Sequence, residues 1–215
     1  MVEGISDKTL TEEMEQLAFF PEQGQSRGIP EGLLSYLPNL IEAGMGNALM
    51  AQMVRSAAWK QKIVQMYDKQ VLTPRLSAWY ADPETYDYTH LRRSTPNPWT
   101  PELLQLKAMV EPIAGVNFNS VLLNYYRDGN DSVAWHSDNE KALGTRPTIA
   151  SLSFGQVRAF DIRSKGDHSQ KYSIKLEHGS LLIMKGDLQQ HWEHRIAKST
   201  RTMGPRLNLT FRVVI

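Results

Sequence analysis

The stretch Arg206-Leu207-Asn208-Leu209-Thr210-Phe211-Arg212 is the most regularly patterned part of this chain. It alternates without a break, so an extended strand places its polar side chains on one face and its apolar side chains on the other. One interpretation is an edge or surface strand whose polar face meets water. The other turns that face inward, where Arg206 and Arg212 would suit a dicarboxylate held inside a barrel, because arginine binds carboxylates bidentately and stays charged when partly buried.

The rest of the sequence predicts helices first and strands afterwards. One helix is predicted over Leu40–Trp59, and a second begins at Thr100 and Pro101 and stops at Gly115. After residue 119 the period changes, and turn residues separate short extended segments. These predicted strands are Ser120–Tyr126, Thr148–Phe154, Arg158–Arg163, Tyr172–Leu176, Ser180–Met184 and Leu207–Val214. The order indicates an α+β protein whose β part is a sandwich or jelly roll.

A second motif is Trp135-His136-Ser137-Asp138-Asn139-Glu140. His136 and Asp138 are two residues apart and point the same way from an extended segment. Together with one distant histidine they would make two imidazoles and one carboxylate, the ligand set of non-haem Fe(II) oxygenases. A surface histidine near an aspartate is the simpler explanation, and the motif alone leaves both open.

Two further groups of residues are candidates for binding. Asn124 and Tyr126 share one face of a predicted strand and can donate hydrogen bonds to a carboxylate, although a core strand also tolerates two polar residues. Aromatic and basic residues are interleaved between Arg75 and Trp99. Such a run can stack on unpaired bases and hold phosphates, or it can supply core and lid side chains.

Composition excludes several classes of protein. The 215 residues contain no cysteine, which rules out a disulfide framework, a thiolate zinc site, an iron–sulfur cluster and a cysteine nucleophile. Residues 1–119 hold 10 Lys/Arg and 14 Asp/Glu, whereas residues 120–215 hold 14 and 9. The basic second half keeps polyanion binding open, although an ordinary solvated surface also accounts for it. No apolar run approaches the ~18 residues of a membrane span, and we expect a cytoplasmic location and no membrane partner.

Taken together, these motifs resemble the AlkB family of Fe(II)/2-oxoglutarate dioxygenases over residues 74–215. The similarity lies in their order: Asn-x-Tyr, His-x-Asp, a later histidine, and the terminal Arg-x-Asn-x-Thr-Phe-Arg. The matching segments are Pro74-Arg75, Ala78–Asp82, Asn124–Gly129, His136–Glu140, Ser151–Gly155, His178–Leu182 and Arg206–Arg212. The resemblance implies a double-stranded β-helix (jelly roll) core with N-terminal supporting helices.

The resemblance also implies a role for each matching residue. Fe(II) would be held by His136, Asp138 and a third ligand about a dozen residues before the arginine-containing strand, a position that His194 fits and for which His191 is the rival. For the co-substrate 2-oxoglutarate, Arg206 and Tyr126 would hold the distal carboxylate. Arg212 and Asn124 would lie at its C1 end, with Asn208 and Thr210 lining the same pocket.

The implied activity is oxidative demethylation of N-alkylated nucleobases, of the 1-methyladenine and 3-methylcytosine type, with O₂ as second co-substrate. Glu140 would face the target base, and Trp79, Tyr86 and Tyr88 would stack on it or close over it. The expected partner is alkylated single- or double-stranded DNA, with RNA a further possibility. The alternative is an oxygenase of the same family that acts on RNA or on a protein side chain.

We expect three parts along the chain and a monomer in solution. Residues 1–70 would be an N-terminal helical extension. Residues 71–119 would form the nucleotide-recognition lid and a supporting helix, and residues 120–215 the jelly-roll core. On this prediction, residues 71–215 make one catalytic domain.

Overall fold

A computed structural model describes residues 32–66, 69–86 and 95–215. These ranges form mostly antiparallel β-structure with few helices. The strands are β1 (Leu34–Leu37), β2 (Ile63–Met66), β3 (Lys69–Leu72), β4 (Leu76–Ala81), β5 (Ser120–Tyr126), β6 (Val133–His136), β7 (Ile149–Gly155), β8 (Arg158–Ser164), β9 (Lys171–Leu176), β10 (Ser180–Met184), β11 (Trp192–Ile196) and β12 (Arg206–Arg212). The helices are α1 (Ala43–Ser56), α2 (Pro101–Ala114) and α3 (Leu188–His191).

Two sheets form the jelly roll. The major sheet has six strands in the order β1-β10-β7-β12-β5-β4, and the minor sheet has four in the order β6-β11-β8-β9. Strands β2 and β3 make a separate hairpin. Strands β5 and β12 are neighbours in the major sheet, although β6, β8, β9 and β11 of the minor sheet lie between them in sequence. The chain therefore passes back and forth between the two sheets, as it does in jelly rolls.

Strand β12 lies in the middle of the major sheet and pairs with β5 on one side and β7 on the other. Strand β12 is therefore not an edge or surface strand, and its polar side chains are buried, as the inward interpretation expected; the dicarboxylate stays a prediction. Leu207, Leu209 and Phe211 are fully buried against the helices, and Arg206, Asn208 and Thr210 are also buried. The polar face of β12 looks into the space between the two sheets.

Helix α2 begins and ends where the sequence predicts. The Thr100 hydroxyl accepts a hydrogen bond from the Leu103 amide at 3.4 Å, and Gly115 ends the helix in the left-handed conformation. Helix α1 is shorter than the predicted Leu40–Trp59, because the Glu42 carboxylate caps it through the Met45 amide at 3.1 Å. Both helices pack apolar side chains on the outer face of the major sheet.

The predicted strands are confirmed, two of them, β5 and β10, to the residue. Six strands were not predicted: β1, β2, β3, β4, β6 and β11. The expectation of several N-terminal supporting helices is not confirmed. The described part of residues 1–70 contains one helix, strand β1 and the start of the hairpin. Residues 1–31 lie outside the described residues, and the proposed domain boundaries stay a prediction. None of the helices in the described ranges is long and apolar enough to cross a membrane.

Candidate active site

Three potential metal ligands lie together at the neighbouring strands β6 and β11 of the minor sheet. His136 ends β6, Asp138 follows it, and His194 lies opposite His136 on the neighbouring strand β11. One potential ligand atom from each residue lies within 4.8 Å of the other two. His191, the rival third ligand, is exposed at the end of α3 and lies outside this group.

Neighbouring protein groups orient the three potential ligands. His136 Nδ1 lies 2.9 Å from the Ala134 carbonyl, so it carries the proton and leaves Nε2 free to bind a metal. The Asp138 amide donates to Oε1 of the buried Gln189 at 2.9 Å, and Arg212 donates to Asp138 Oδ1 at 2.8 Å. The His194 ring stacks on Phe160 with a centroid distance of 4.9 Å.

The electrostatics of the group favour the protonation states that metal ligands need. Burial raises the pKa of the Asp138 carboxyl, but the charge of Arg212 and the nearby imidazoles outweigh burial and hold that pKa below its ordinary value. Burial, reinforced by His136, lowers the pKa of His194 to about 3. At neutral pH the group therefore offers an anionic carboxylate and a neutral, lone-pair-bearing His194. This donor set fits Fe(II), for which two imidazoles and one carboxylate leave further coordination positions open.

Arg206 is the second feature of the site. Only 1% of its surface is exposed. Its Nη2 donates to Ser153 Oγ at 3.0 Å, and its guanidinium carbon lies 5.0 Å from the centre of the Tyr126 ring. Nε and Nη1 have no hydrogen-bond partner among the residues that the structure describes. Burial lowers the Arg206 pKa, yet arginine remains protonated. A buried cation with two unused donors fits a carboxylate ligand.

The other predicted co-substrate residues line the same space. Asn208 donates to Ser151 Oγ at 2.9 Å and accepts from Thr210 Oγ1 at 3.1 Å. Asn124 Oδ1 accepts from Arg75 Nε at 2.8 Å, which leaves the Asn124 amide protons pointing elsewhere. Arg75 belongs to the aromatic and basic run considered above for nucleic-acid binding, and no role beside the co-substrate was predicted for it. Its place beside Asn124 depends on the pairing of β4 with β5, which was not predicted.

A cavity of about 230 Å³ joins the metal group to Arg206. All predicted metal and co-substrate residues line it: Asn124, Tyr126, His136, Asp138, His194, Arg206, Asn208, Thr210 and Arg212. The substrate candidate Glu140 lines it as well. Five lysines and arginines and two acidic residues face it, so the cavity is electropositive.

The remaining substrate candidates are placed only in part. Trp79 lines a small neighbouring cavity together with Leu122 and Glu140, and its Nε1 donates to Ser120 Oγ at 2.8 Å. The backbone of Tyr86 ends a short 3₁₀ turn, Pro83–Tyr86. Tyr88 lies outside the described residues.

Sequence reasoning also missed Gln189, which holds the Asp138 backbone across 51 residues of chain. No spacing signal could have found it. Lys62, at the start of the hairpin, and Phe160, under His194, are further cavity residues that were not predicted.

Comparison with known proteins agrees with this geometry. The sequence profile of the 2OG-Fe(II) oxygenase superfamily matches residues 33–212. The chain is 43% identical over 187 residues to the alpha-ketoglutarate-dependent dioxygenase alkB homolog 3 of Bos taurus, covering 82% of this chain and 64% of that protein. It is 38% identical over 160 residues to the DNA oxidative demethylase ALKBH2 of Homo sapiens, covering 71% of this chain and 61% of that protein.

A solved structure shares the fold. "The structure of OsALKBH1" superimposes with a TM-score of 0.60 at 16% identity, covering 84% of this chain and 96% of the other. The profile match and the relatives at about 40% identity show the family directly. The chain belongs to the 2OG-Fe(II) oxygenase superfamily and, within it, to the AlkB family, whose cofactors are Fe(II), 2-oxoglutarate and O₂.

Proposed function

We propose that this protein is an Fe(II)- and 2-oxoglutarate-dependent dioxygenase that oxidatively demethylates N-alkylated nucleobases in DNA. One observation carries the proposal. The compact group of His136, Asp138 and His194 shares a cavity with the buried Arg206, whose guanidinium keeps donors unused within the described residues. The relatives are named as alpha-ketoglutarate-dependent dioxygenases and DNA oxidative demethylases, which supports the choice of reaction and substrate.

The residues that would hold iron are His136, Asp138 and His194. When bound together with 2-oxoglutarate and O₂, the iron supplies the oxidising power that hydroxylates the N-linked methyl group of the base. The hydroxymethyl group then leaves as formaldehyde. The protein contributes the protonation states of the ligands: Arg212 keeps Asp138 ionised, and burial keeps His194 neutral.

For 2-oxoglutarate, we propose that Arg206 and Tyr126 hold the distal carboxylate. The unused Nε and Nη1 of Arg206 support this assignment, since a carboxylate would satisfy both at once. Asn124 and Arg212 would lie at the C1 end. Asn208 and Thr210 would line the pocket between the two ends.

The target base would leave its stack to enter the cavity, at a cost of a few kcal/mol that is least where methylation has already broken the pairing. Glu140 would face the base, because it lines both the catalytic cavity and the small cavity beside Trp79. Trp79, Tyr86 and Tyr88 would stack on the base or close over it. The electropositive lining suits a nucleic acid chain.

The test is mass spectrometry of short single-stranded DNA that carries one 1-methyladenine or 3-methylcytosine. We expect the loss of one CH₂ unit from the oligonucleotide, dependent on both Fe(II) and 2-oxoglutarate. The His136→Ala variant, with folding checked by circular dichroism, is the matched control and should leave the lesion intact. Retained turnover in His136→Ala would contradict the ligand assignment.

Two other outcomes separate the parts of the proposal. Succinate formation without loss of the methyl group would keep the oxygenase and move the substrate to RNA or a protein side chain. No succinate under any condition would overturn the oxygenase itself.

We further propose that the enzyme works as a monomer in the cytoplasm, as expected from the sequence. Light scattering coupled to size-exclusion chromatography tests the first statement. The distribution of a fluorescently tagged full chain in cells tests the second.

A further inference from the structure

The strand that carries His136 is irregular where it reaches the catalytic cavity. His136 pairs with His194, and Val133 pairs with Ile196, so three steps along β6 oppose two steps along β11. Such an extra residue is a β-bulge, a device that re-aims side chains next to active sites. Val133 and His136 both line the cavity, although residues three apart on a regular strand face opposite sides. The bulge is therefore what turns the His136 ring inward.

Trp135, inside this bulge, points to the opposite face of the minor sheet. Its ring lies 4.1 Å from the guanidinium carbon of Arg163 and 4.5 Å from that of Arg195. By alternation both arginines belong to the outer face, because the residues that precede them, Ile162 and His194, are buried. Trp135, Arg163 and Arg195 line a second pocket there, and Arg195 also borders the catalytic cavity. The indole thus reaches across β11 to β8, and it contacts a cation on each strand.

The two arginines are themselves held in place. Arg163 and Glu193 are directly opposite each other on β8 and β11, with Nε and Oε1 2.5 Å apart. Arg195 and Asp161 are the next opposed pair of the same face, with Nε and Oδ2 2.9 Å apart. Cross-strand ion pairs hold both guanidiniums in place on the sheet, so the Trp135 indole packs against two fixed cations.

We propose that Trp135 is a positioning residue for the metal centre. Its contacts with Arg163 and Arg195 hold the bulge of β6 and thereby aim His136 at the other two ligands. The His136 side chain is 38% exposed, and its Nδ1 hydrogen bond goes to Ala134 within the same bulge. The position of the ring therefore depends on the backbone conformation of the bulge. The inference rests on the metal role proposed above for His136.

The experiment is a titration of the purified full chain with Co(II) alone, followed by its visible absorption bands, which report the ligand geometry. Loss of an outer support of a metal ligand typically weakens metal binding by about 10- to 100-fold. We expect a loss of this size in Trp135→Leu, together with altered Co(II) bands. Trp135→Phe keeps an aromatic face for the two cations and should stay within about threefold of the unsubstituted protein.

Trp59→Leu is the matched control. Trp59 is also half-buried and also packs on a ring, that of Tyr125 at 5.6 Å, but Tyr125 belongs to the major sheet and not to the minor sheet that carries His136. We expect this variant to lose stability without losing Co(II) affinity. A Trp135→Leu variant with the Co(II) affinity and bands of Trp59→Leu would overturn the proposal, because Trp135 would then only stabilise the fold.

Two further measurements keep the result decisive. If Trp135→Leu does not fold, Arg163→Met replaces it, since that change keeps the indole and removes one of its two cations; unchanged Co(II) affinity in Arg163→Met would overturn the proposal. His136→Ala should abolish the site. If the unsubstituted protein and His136→Ala bind Co(II) alike, the metal assignment of the proposed function fails, rather than the role of Trp135 alone.

Discussion

Two buried arginines lie close to the ring of Tyr126 and meet opposite surroundings. The Arg158 guanidinium carbon is 5.8 Å from the ring centre and that of Arg206 is 5.0 Å from it. Arg158 is 3% exposed and Arg206 is 1% exposed. Arg158 donates to three backbone carbonyls, those of Asp128, Asp131 and Ala197. Arg206 donates from Nη2 to Ser153 Oγ, and its Nε and Nη1 have no hydrogen-bond partner in the described part of the chain.

We interpret this difference as that between an arginine whose role is structural and one whose unused donors await a ligand, as proposed above for Arg206. Around Arg158 the protein provides the acceptors itself and ties the loop after β5 to the strands beside it. Around Arg206 the acceptors are missing on the side that faces the cavity. Because unmet buried donors are costly, a fold keeps them where a ligand supplies the acceptors. Burial lowers the pKa of both groups, so burial alone does not distinguish them.

The largest effect is expected for Arg158→Met, a change in stability. Three carbonyls lose their donor, one of the bonds being buried and two part-buried, and bonds of this charged type contribute more than neutral ones, so unfolding should become easier by about 3 to 5 kcal/mol. Urea unfolding of the protein without added metal measures this. The 2-oxoglutarate concentration for half-maximal succinate formation should not change in the folded protein. A large increase in that concentration would contradict a purely structural role for Arg158.

Arg206→Met should have the reverse pattern. The concentration of 2-oxoglutarate for half-maximal succinate formation should rise about 100-fold, equivalent to about 2.7 kcal/mol, because the carboxylate loses a buried, doubly hydrogen-bonded partner. Stability without ligand should stay within about 1 kcal/mol or increase, because replacing an incompletely paired buried charge by an apolar group is often neutral or favourable. A loss of stability as large as that of Arg158→Met would show that Arg206 is structural.

The sequence predicts Arg206 better than it predicts Arg158, for a physical reason. Alternation along β12 places Arg206, Asn208 and Thr210 on one face, and the structure keeps them there. Alternation does not tell an edge strand from a central one, because burial depends on strands that pair from far along the chain. The role of Arg158 depends on a loop about 30 residues earlier and on Ala197, so no local pattern contains it.

Elements that escaped prediction have similar causes. Strand β11 alternates clearly, with Trp192, His194 and Ile196 buried, but it is short and follows directly on α3. Strand β6 contains a bulge, which breaks the period of two that reveals strands. His136 and Asp138 could still be predicted as metal ligands because the His-x-Asp spacing is local, whereas His194 was chosen from the family resemblance, and the structure brings all three together. Gln189, which supports Asp138, could not be predicted, since its contact is made only in the folded chain.

The smallest expected effect concerns Asp131, which belongs to the structural region. Burial raises the pKa of this carboxyl, but hydrogen bonds from the Arg127 side chain and amide outweigh burial and lower it below the ordinary value. A carboxyl with a lowered folded-state pKa stabilises the protein above its unfolded-state pKa of about 3.9, and this contribution is lost as the pH falls through the folded value. Arg127 is 46% exposed, so solvent screens the pair and the contribution should be about 1 kcal/mol.

Asp131→Asn tests this sign directly. Urea midpoints of the variant and the unsubstituted protein should differ by about 1 kcal/mol at pH 7, and the difference should shrink as the pH falls below about 4. Arg127→Gln is the matched control, since it removes the cation and keeps the acid, and it should reduce the same pH dependence. A difference that stays constant down to pH 3 would mean that Asp131 acts by shape and hydrogen bonding rather than by its charge. Asp131 would then act as the backbone carbonyls around Arg158 do, through hydrogen bonds. Ion pairing would not contribute to the difference between this structural region and the cavity around Arg206.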